Sequence, residues 1–260
     1  MKQRKVKVAV IGAGTAGMVA YQRARKHTES VLLIEGSQYG TTCARVGCMP
    51  SKLLIAAADA AHAARSASLF GVTCQTVAVD GKAVMARVRS ERDRFVESVV
   101  ASAKSYPEQD RLLGHVRFAS PHRLIVDGHT EVIAERIVIA TGSRPNIPEF
   151  LKEAGDRLVV NDDLFGWHDL PASVAVFGPG VIGLELGQAL ARLGVRIRMF
   201  GVGGSLGSLQ DSQLRDCALK TFNREFPLDS DADVTAVSRS AEGVSISFKN
   251  ADKEIITEEF

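Results

Sequence analysis

Val8-Ala9-Val10-Ile11-Gly12-Ala13-Gly14-Thr15-Ala16-Gly17 is an apolar run of strand type that ends in Gly-x-Gly-x-x-Gly. A helical pattern follows through Met18 to Lys26, then a second apolar run from Val31 to Ile34. Strand, tight turn, helix and strand in that order open a right-handed βαβ unit. The first glycine permits the turn, the second lets the backbone approach a pyrophosphate, and the third lets helix and strand pack closely. The helix N-terminus then faces the phosphate charge. The pattern recurs at Val174-Ala175-Val176-Phe177-Gly178-Pro179-Gly180-Val181-Ile182-Gly183, with a helix through Leu184 to Leu193 and a strand from Val195 to Phe200. One fingerprint is weak evidence; two, each in strand–turn–helix context, predict an α/β chain of two Rossmann-like dinucleotide-binding units.

Between the halves, Ser51 to Ser68 is rich in Ala and Leu and reads as a helix. Gly81-Lys82 opens a second long helix, apolar at Val84, Val88, Phe95, Val96, Val99 and Val100, that ends before Pro107. Short strands are expected at Arg117 to Phe118, Arg123 to Val126 and Glu131 to Ile139, with turns at Ser120-Pro121 and Asp127-Gly128. Leu151 to Pro171 reads as the crossing between domains, which places one domain at 1–150 and the second at 151–260.

An acidic residue that ends the second strand bonds the adenosine ribose in such folds, roughly 20 residues past the first glycine. Glu35 stands 23 positions after Gly12 (from 12 to 35). The same offset from Gly178 reaches Gly201, where no carboxylate waits. Arg196 and Arg198 precede it on one face of one strand, either toward a 2′-phosphate or toward solvent. NAD and NADP both stay open on these residues.

Cys43 and Cys48 lie in Gly40-Thr41-Thr42-Cys43-Ala44-Arg45-Val46-Gly47-Cys48-Met49-Pro50-Ser51-Lys52. In a regular helix residues five apart are about 8–9 Å distant at Cα, whereas a disulfide needs about 4.4–6.8 Å. A linked pair therefore requires an irregular segment, and Gly47 supplies the backbone freedom. Two thiols this close to a dinucleotide fingerprint suggest a redox-active disulfide; two unpaired buried thiols and a zinc site are the alternatives. No second Cys pair or His-x-x-x-His partner supports zinc, and no metal is expected. Cys74 and Cys217 read as ordinary buried thiols.

The composition, with 45% apolar and 24% charged residues, is that of an ordinary soluble globular protein. A net charge of +2 gives no electrostatic case for nucleic acid or an anionic membrane. Four cysteines in 260 residues do not make a secreted disulfide framework. Met1-Lys2-Gln3-Arg4-Lys5 precedes an apolar run too short for a signal peptide, and no stretch is long enough to span a membrane. The chain reads as cytoplasmic.

Gly12 to Gly17, Glu35, Cys43 to Cys48 with Pro50-Ser51-Lys52, Ala140 to Pro145 and Gly178 to Gly187 occur in one order. Together they resemble the flavin-dependent pyridine nucleotide–disulfide oxidoreductases, most closely the dihydrolipoamide dehydrogenases, over essentially the whole chain. The resemblance implies FAD on the first unit, its pyrophosphate over Gly12, Gly14 and Gly17, its ribose on Glu35, and Thr141 and Gly142 close by. It implies NAD or NADP on Gly178, Gly180 and Gly183, with Arg198 a candidate for a 2′-phosphate. Cys43 looks like the thiol that exchanges with substrate, and Cys48 like the thiol facing the flavin. Lys52 resembles the lysine near the flavin and Glu185 the acid that pairs with it. The implied reaction moves electrons between a small-molecule or lipoyl-domain dithiol and NAD(P), through a Cys43–Cys48 disulfide and FAD.

The resemblance also implies a His–Glu pair near the C-terminus, a late Gly-Asp segment for FAD and a dimer-interface domain. None is expected within residues 1–260, so the chain reads as C-terminally truncated, its second unit incomplete. His27, His62, His115, His122, His129 and His168 match no catalytic position and are expected on surfaces or loops. A homodimer is expected of a full-length form and not of this fragment, whose own turnover should be near zero. Thr41 and Arg45 replace residues usual in the family; Arg45 either lowers the thiol pKa or points outward. Mercuric or glutathione-type reductase, and a non-catalytic dinucleotide-binding fragment, are the alternative readings.

Overall fold

The structure is a computed structural model that describes residues 1–250 and 252–260. The chain forms two compact units, Met1–Met49 with Glu91–Arg144 and Pro50–Ser90 with Pro145–Phe260.

In the first unit β1 (Lys2–Ile11), α1 (Thr15–Arg25) and β2 (Val31–Glu35) make the expected βαβ opening. The sheet is completed by β3 (Arg111–Leu113), β4 (Val116–Ser120), β5 (Arg123–Val126) and β6 (Thr130–Ile139), in the order β3-β2-β1-β6-β5-β4. Strands β3, β2, β1 and β6 are parallel, while β5 and β4 join antiparallel. Central parallel strands are buried on both faces and so read as continuous apolar runs. Val31 to Ile34 are accordingly all buried. Alternate residues serve opposite faces. Ala9, Ile11, Leu32 and Ile34 pack with Leu124, Val126 and Val132, whereas Val10, Val31 and Leu33 pack with Tyr21, Tyr39 and Ala103.

β1 begins at Lys2, ahead of its apolar run, because β6 is equally long and pairs with it from Lys2↔Thr130 to Ile11↔Ile139. α1 begins at Thr15 rather than at Met18, since the Met18 N–H already donates to the Gly14 carbonyl at 2.9 Å. Tyr21 on α1 donates a buried hydrogen bond to Asp110 Oδ2 at 2.7 Å. Burial, then that bond, push the tyrosine hydroxyl far above its usual range.

α2 (Thr42–Val46) and α3 (Cys48–Ser66) follow β2, and α4 (Gly81–Lys104) precedes β3. A four-residue helix, α5 (Asn161–Leu164), leads into the second unit's fingerprint, formed by β7 (Ser173–Phe177), α6 (Val181–Arg192) and β8 (Arg196–Phe200). β9 (Leu228–Asp229) follows α7 (Ser212–Phe222), and β7, β8 and β9 form a parallel sheet. β10 (Val234–Arg239), β11 (Val244–Lys249) and β12 (Ile255–Glu259) form an antiparallel one. Phe177 stacks on Phe200, which meets Phe248 edge-on, both at 5.1 Å, so one aromatic core joins the two sheets. Rings in these geometries add to what area burial alone supplies. Among the described residues no helix is long and apolar enough to cross a membrane.

Candidate functional site

The first glycine turn is held by packing that only glycine allows. Gly12 has φ +99°, and a Cβ there would lie 2.3 Å from the Ala140 carbonyl oxygen. A Cβ on Gly17 would lie 1.7 Å from the Gly12 carbonyl oxygen. Gly14 differs: nothing lies within 4 Å of its Cβ position. The α1 N-terminus thus opens onto a bare backbone at Gly14, the feature a phosphate needs to approach the N–H groups of a helix start. Thr141 and Gly142, both exposed, continue from Ala140 beside this turn.

Glu35 ends β2 as expected and reaches into the turn. Its Oε2 accepts the Ala13 N–H at 2.7 Å, and its Oε1 accepts from Ser37 N at 3.0 Å and Ser37 Oγ at 3.2 Å. A carboxylate has about four lone-pair sites, so capacity for ribose hydroxyls remains. The same residue therefore braces the loop, a role that spacing alone did not reveal.

The second turn repeats the first in part. Gly178 has φ +98°, Gly180 has nothing within 4 Å of its Cβ position, and a Cβ on Gly183 would lie 2.2 Å from the Gly178 carbonyl oxygen. At Gly201, however, a Cβ would sit 2.5 Å from Ser230 O and 2.8 Å from Pro179 Cγ. Pro179 also occupies the place of Ala13 and has no N–H to offer a carboxylate. The missing acid thus has a steric cause and a hydrogen-bonding cause. Arg196 and Arg198 share one face of β8; Arg196 is exposed and Arg198 half-buried, and both reach the Glu258 carboxylate on β12. They pair with Glu258 at 3.3 and 2.7 Å, and lie over the rings of Phe260 and Phe248.

The cysteine segment is irregular, as the spacing required. Thr41 caps α2, its Oγ1 accepting the Ala44 N–H at 3.1 Å. Gly47 separates α2 from α3, and a Cβ there would lie 3.1 Å from Cys43 Cα. That close approach brings the two side chains together as thiols and not as the expected disulfide: Cys43 shares a side-chain hydrogen bond with Cys48, the first residue of α3. Burial first, and then Cys48, push the Cys43 thiol above its ordinary value of 9.0. Arg45 does not lower it. The guanidinium turns back along the loop, donating to the Tyr39 carbonyl at 2.6 Å, with its Nε buried against Gly40. Cys74 and Cys217, expected to be buried, are exposed. The first lies in an irregular segment and the second on α7, a helix with no buried residue.

Lys52 and Glu185, 133 positions apart, are brought together in the second unit, with Nζ to Oε2 at 2.7 Å. Seven residues on, Asp59 meets Arg192 at 2.8 Å with the same offset of 133 and the opposite polarity. Seven residues are two helical turns, so both pairs lie on one seam between α3 and α6. A slide of one heptad would set Lys52 against Arg192, and like charges oppose it. Arg192 is held from behind by Glu225 at 2.8 and 3.0 Å, and Gln188 donates to the same carboxylate at 2.7 Å. A cavity of about 360 Å³ lies along the seam over Ile55, Ala58 and Ala189.

A family profile described as pyridine nucleotide-disulphide oxidoreductase matches residues 6–258. The chain belongs to this family. Its members are oxidoreductases that use FAD with NAD or NADP. The chain is 32% identical over 201 residues to a dihydrolipoyl dehydrogenase of Bacillus subtilis, covering 73% of this chain and 42% of that protein. It is 31% identical over 256 residues to a mercuric reductase of Streptomyces lividans, covering 94% and 53%. A Cu(II) complex of the HOCl-induced flavoprotein disulfide reductase RclA from Escherichia coli shares the fold, with TM-score 0.75 and 21% identity over 96% of this chain and 54% of that one. The chain spans about half the length of the curated relatives it matches.

The first turn fits FAD, because the bare backbone at Gly14 is the cradle a pyrophosphate requires. Of the six histidines only His62 is half-buried; the others are exposed. Among the described residues no group of three or more His, Cys, Asp and Glu could hold a metal ion. Asp231 escaped the sequence reading. It accepts the Gly203 N–H at 2.7 Å, next to the position that Gly201 leaves without an acid.

Proposed function

We propose that this chain carries the thiol–flavin half of an FAD-dependent disulfide oxidoreductase of the dihydrolipoyl dehydrogenase type. The observation that supports it most is the side-chain contact of Cys43 and Cys48 across Gly47, in the unit that also holds the Gly12 turn. In this reading residues 1–150 carry FAD and residues 151–260 carry the nicotinamide dinucleotide. Gly12, Gly14, Gly17, Glu35, Thr141 and Gly142 hold the first, and Gly178, Gly180 and Gly183 the second.

The exchange balances as follows. A substrate thiolate attacks Cys43 Sγ in the oxidised pair, the Cys43–Cys48 bond breaks, and Cys48 leaves as a thiolate. The second substrate thiol gives up its proton and attacks the mixed disulfide. Substrate departs as a disulfide, and Cys43 takes up the proton. The substrate has lost two electrons and the cysteine pair has gained them. FAD, held at the Gly12 turn and Glu35, would supply the two-electron acceptor for the reduced pair and the hydride for NAD(P). Lys52, which pairs with Glu185 at 2.7 Å, is the cation proposed to balance negative charge on a bound flavin. A lipoyl-type dithiol is the proposed substrate. The relatives named mercuric reductase and mycothione reductase make a mercuric ion or a glutathione-type disulfide the second reading. A cytoplasmic, dimeric full-length form belongs to the same proposal.

The test is anaerobic reduction of the FAD-supplemented chain with dihydrolipoamide. Flavin bleaching is expected in the native chain and not in Cys43→Ser or Cys48→Ser. Peptide mass spectrometry of the oxidised protein should recover residues 43 and 48 cross-linked. Bleaching at the native rate in the double variant would refute the thiol route. Failure of the native chain to bleach would favour a non-catalytic dinucleotide-binding fragment.

A further inference from the structure

We propose that Asp231 is the carboxylate that reads the adenosine ribose of the nicotinamide dinucleotide in the second unit, and that it selects the unphosphorylated ribose. The inference rests on the reading that this unit holds such a dinucleotide.

In the first unit the acid comes from the end of the second strand: Glu35, anchored on the Ala13 N–H at 2.7 Å. In the second unit that route is closed, because Ser230 O and Pro179 Cγ crowd the Cβ position of Gly201 and residue 179 donates no N–H. What crowds it is the segment after β9. Gly201 donates to the Asp229 carbonyl at 2.7 Å, Ala232 donates to the Gly201 carbonyl at 2.9 Å, and Gly204 donates to the Ser230 carbonyl at 3.0 Å. This ladder carries Asp231 along the loop that follows β8. Its Oδ1 accepts the Gly203 N–H at 2.7 Å, and the side chain is exposed. A carboxylate therefore stands past the carboxyl ends of the parallel strands, as in the first unit, in the loop next to Gly201, whose Cβ position abuts Pro179 of the second glycine turn. It is delivered by the third strand instead of the second.

Charge decides between the two nucleotides. Residues 201–211 contain no Lys or Arg. Arg196 and Arg198, the nearest cations in sequence before this loop, are ion-paired to Glu258 on β12. Asp229 adds a second carboxylate, its Oδ1 accepting the Asp231 N–H at 2.9 Å. A carboxylate accepts hydrogen bonds from the two hydroxyls of an unmodified ribose and repels a 2′-phosphate. The site is built for NAD(H).

Calorimetric titration of the full chain with NADH and with NADPH tests this. Because hydrogen bonds to charged groups are strong, NADH should bind at least about tenfold more tightly than NADPH. Asp231→Asn keeps an oxygen to accept the Gly203 N–H and removes only the charge. It should bring the two affinities within about threefold, and Asp231→Glu should restore part of the preference. Should Asp231→Asn fail to fold, Asp231→Ser retains an acceptor and makes the same comparison. Tighter binding of NADPH by the native chain, or a ratio unchanged by the substitution, would overturn the assignment. Binding of neither nucleotide would refute the underlying reading of the second unit, and this assignment with it.

Discussion

The two glycines Gly14 and Gly17 stand three residues apart and should respond to alanine in opposite ways. At Gly17 the new Cβ would lie 1.7 Å from the Gly12 carbonyl oxygen, against 3.0 Å for the closest contacts real Cβ atoms make, so the backbone must yield by 3.0 − 1.7 = 1.3 Å. It has little room to yield. Gly12 N–H donates to the Ile34 carbonyl at 2.7 Å, and the Gly12 Cβ direction is closed by Ala140. Overpacking of this kind costs about 1–3 kcal/mol or more, of which better helix propensity recovers up to about 1 kcal/mol. At Gly14, φ −73° and ψ −172° suit alanine, and nothing lies within 4 Å. The smaller entropy of the unfolded chain should then stabilise Gly14→Ala by about 0.4–1 kcal/mol. Urea unfolding separates the outcomes by unit. All three tyrosines (Tyr21, Tyr39 and Tyr106) lie in the first unit, and the sole tryptophan, Trp167, in the second. The tyrosine transition should shift down in Gly17→Ala and slightly up in Gly14→Ala, while the tryptophan transition stays in place. FAD titration should show the reverse cost for Gly14→Ala, an affinity loss of about tenfold or more, because the methyl group fills the phosphate's approach. A Gly17→Ala chain as stable as the native one would refute the packing argument. Native FAD affinity in Gly14→Ala would refute the cradle.

Burial and Cys48 hold the Cys43 thiol above 9.0, so any stability from keeping it protonated is present below the ordinary thiol pKa and is lost as pH rises through the folded value. Iodoacetamide at pH 8 should therefore label Cys43 more slowly than the exposed Cys74 and Cys217, with a steep rise only above pH 9, and Cys48→Ala should quicken it; equal rates at the three sites would contradict the geometry. The Glu225 carboxyl is held below its ordinary 4.5 chiefly by its hydrogen bond to Arg192. The stability difference between native and Arg192→Met, about 1 kcal/mol for a partly exposed network, should hold above pH 4.5 and shrink as pH falls through the depressed value; a pH-independent difference in acid unfolding would refute the pairing. Gly201→Ala should lower the tryptophan-detected transition by about 1–3 kcal/mol through its clash with Ser230 and Pro179, and an unchanged transition would mean that the loop yields freely.

Local periodicity carries the parts of this protein that could be read residue by residue. Each glycine turn is a contiguous pattern, and each clash that enforces it lies within a few residues, apart from Ala140. The cysteine pair was equally accessible, because only five positions separate the thiols and Gly47 lies between them. The sequence determined two dinucleotide turns, an acid after the first and none after the second, and an irregular dithiol segment. What it left open depends on chain that returns from far away. β3 and β9, with three and two residues, are too short to show a period and exist because a parallel sheet edge pairs with them. Arg198 answers to Glu258, Arg192 to Asp59 and Glu225, and the place an acid would take at Gly201 is filled by Ser230 with Asp231 alongside. Hydrophobic spacing repeats and so announces itself along a chain. A charge finds its partner only where the packed backbone delivers one, and that delivery is a property of the tertiary structure alone.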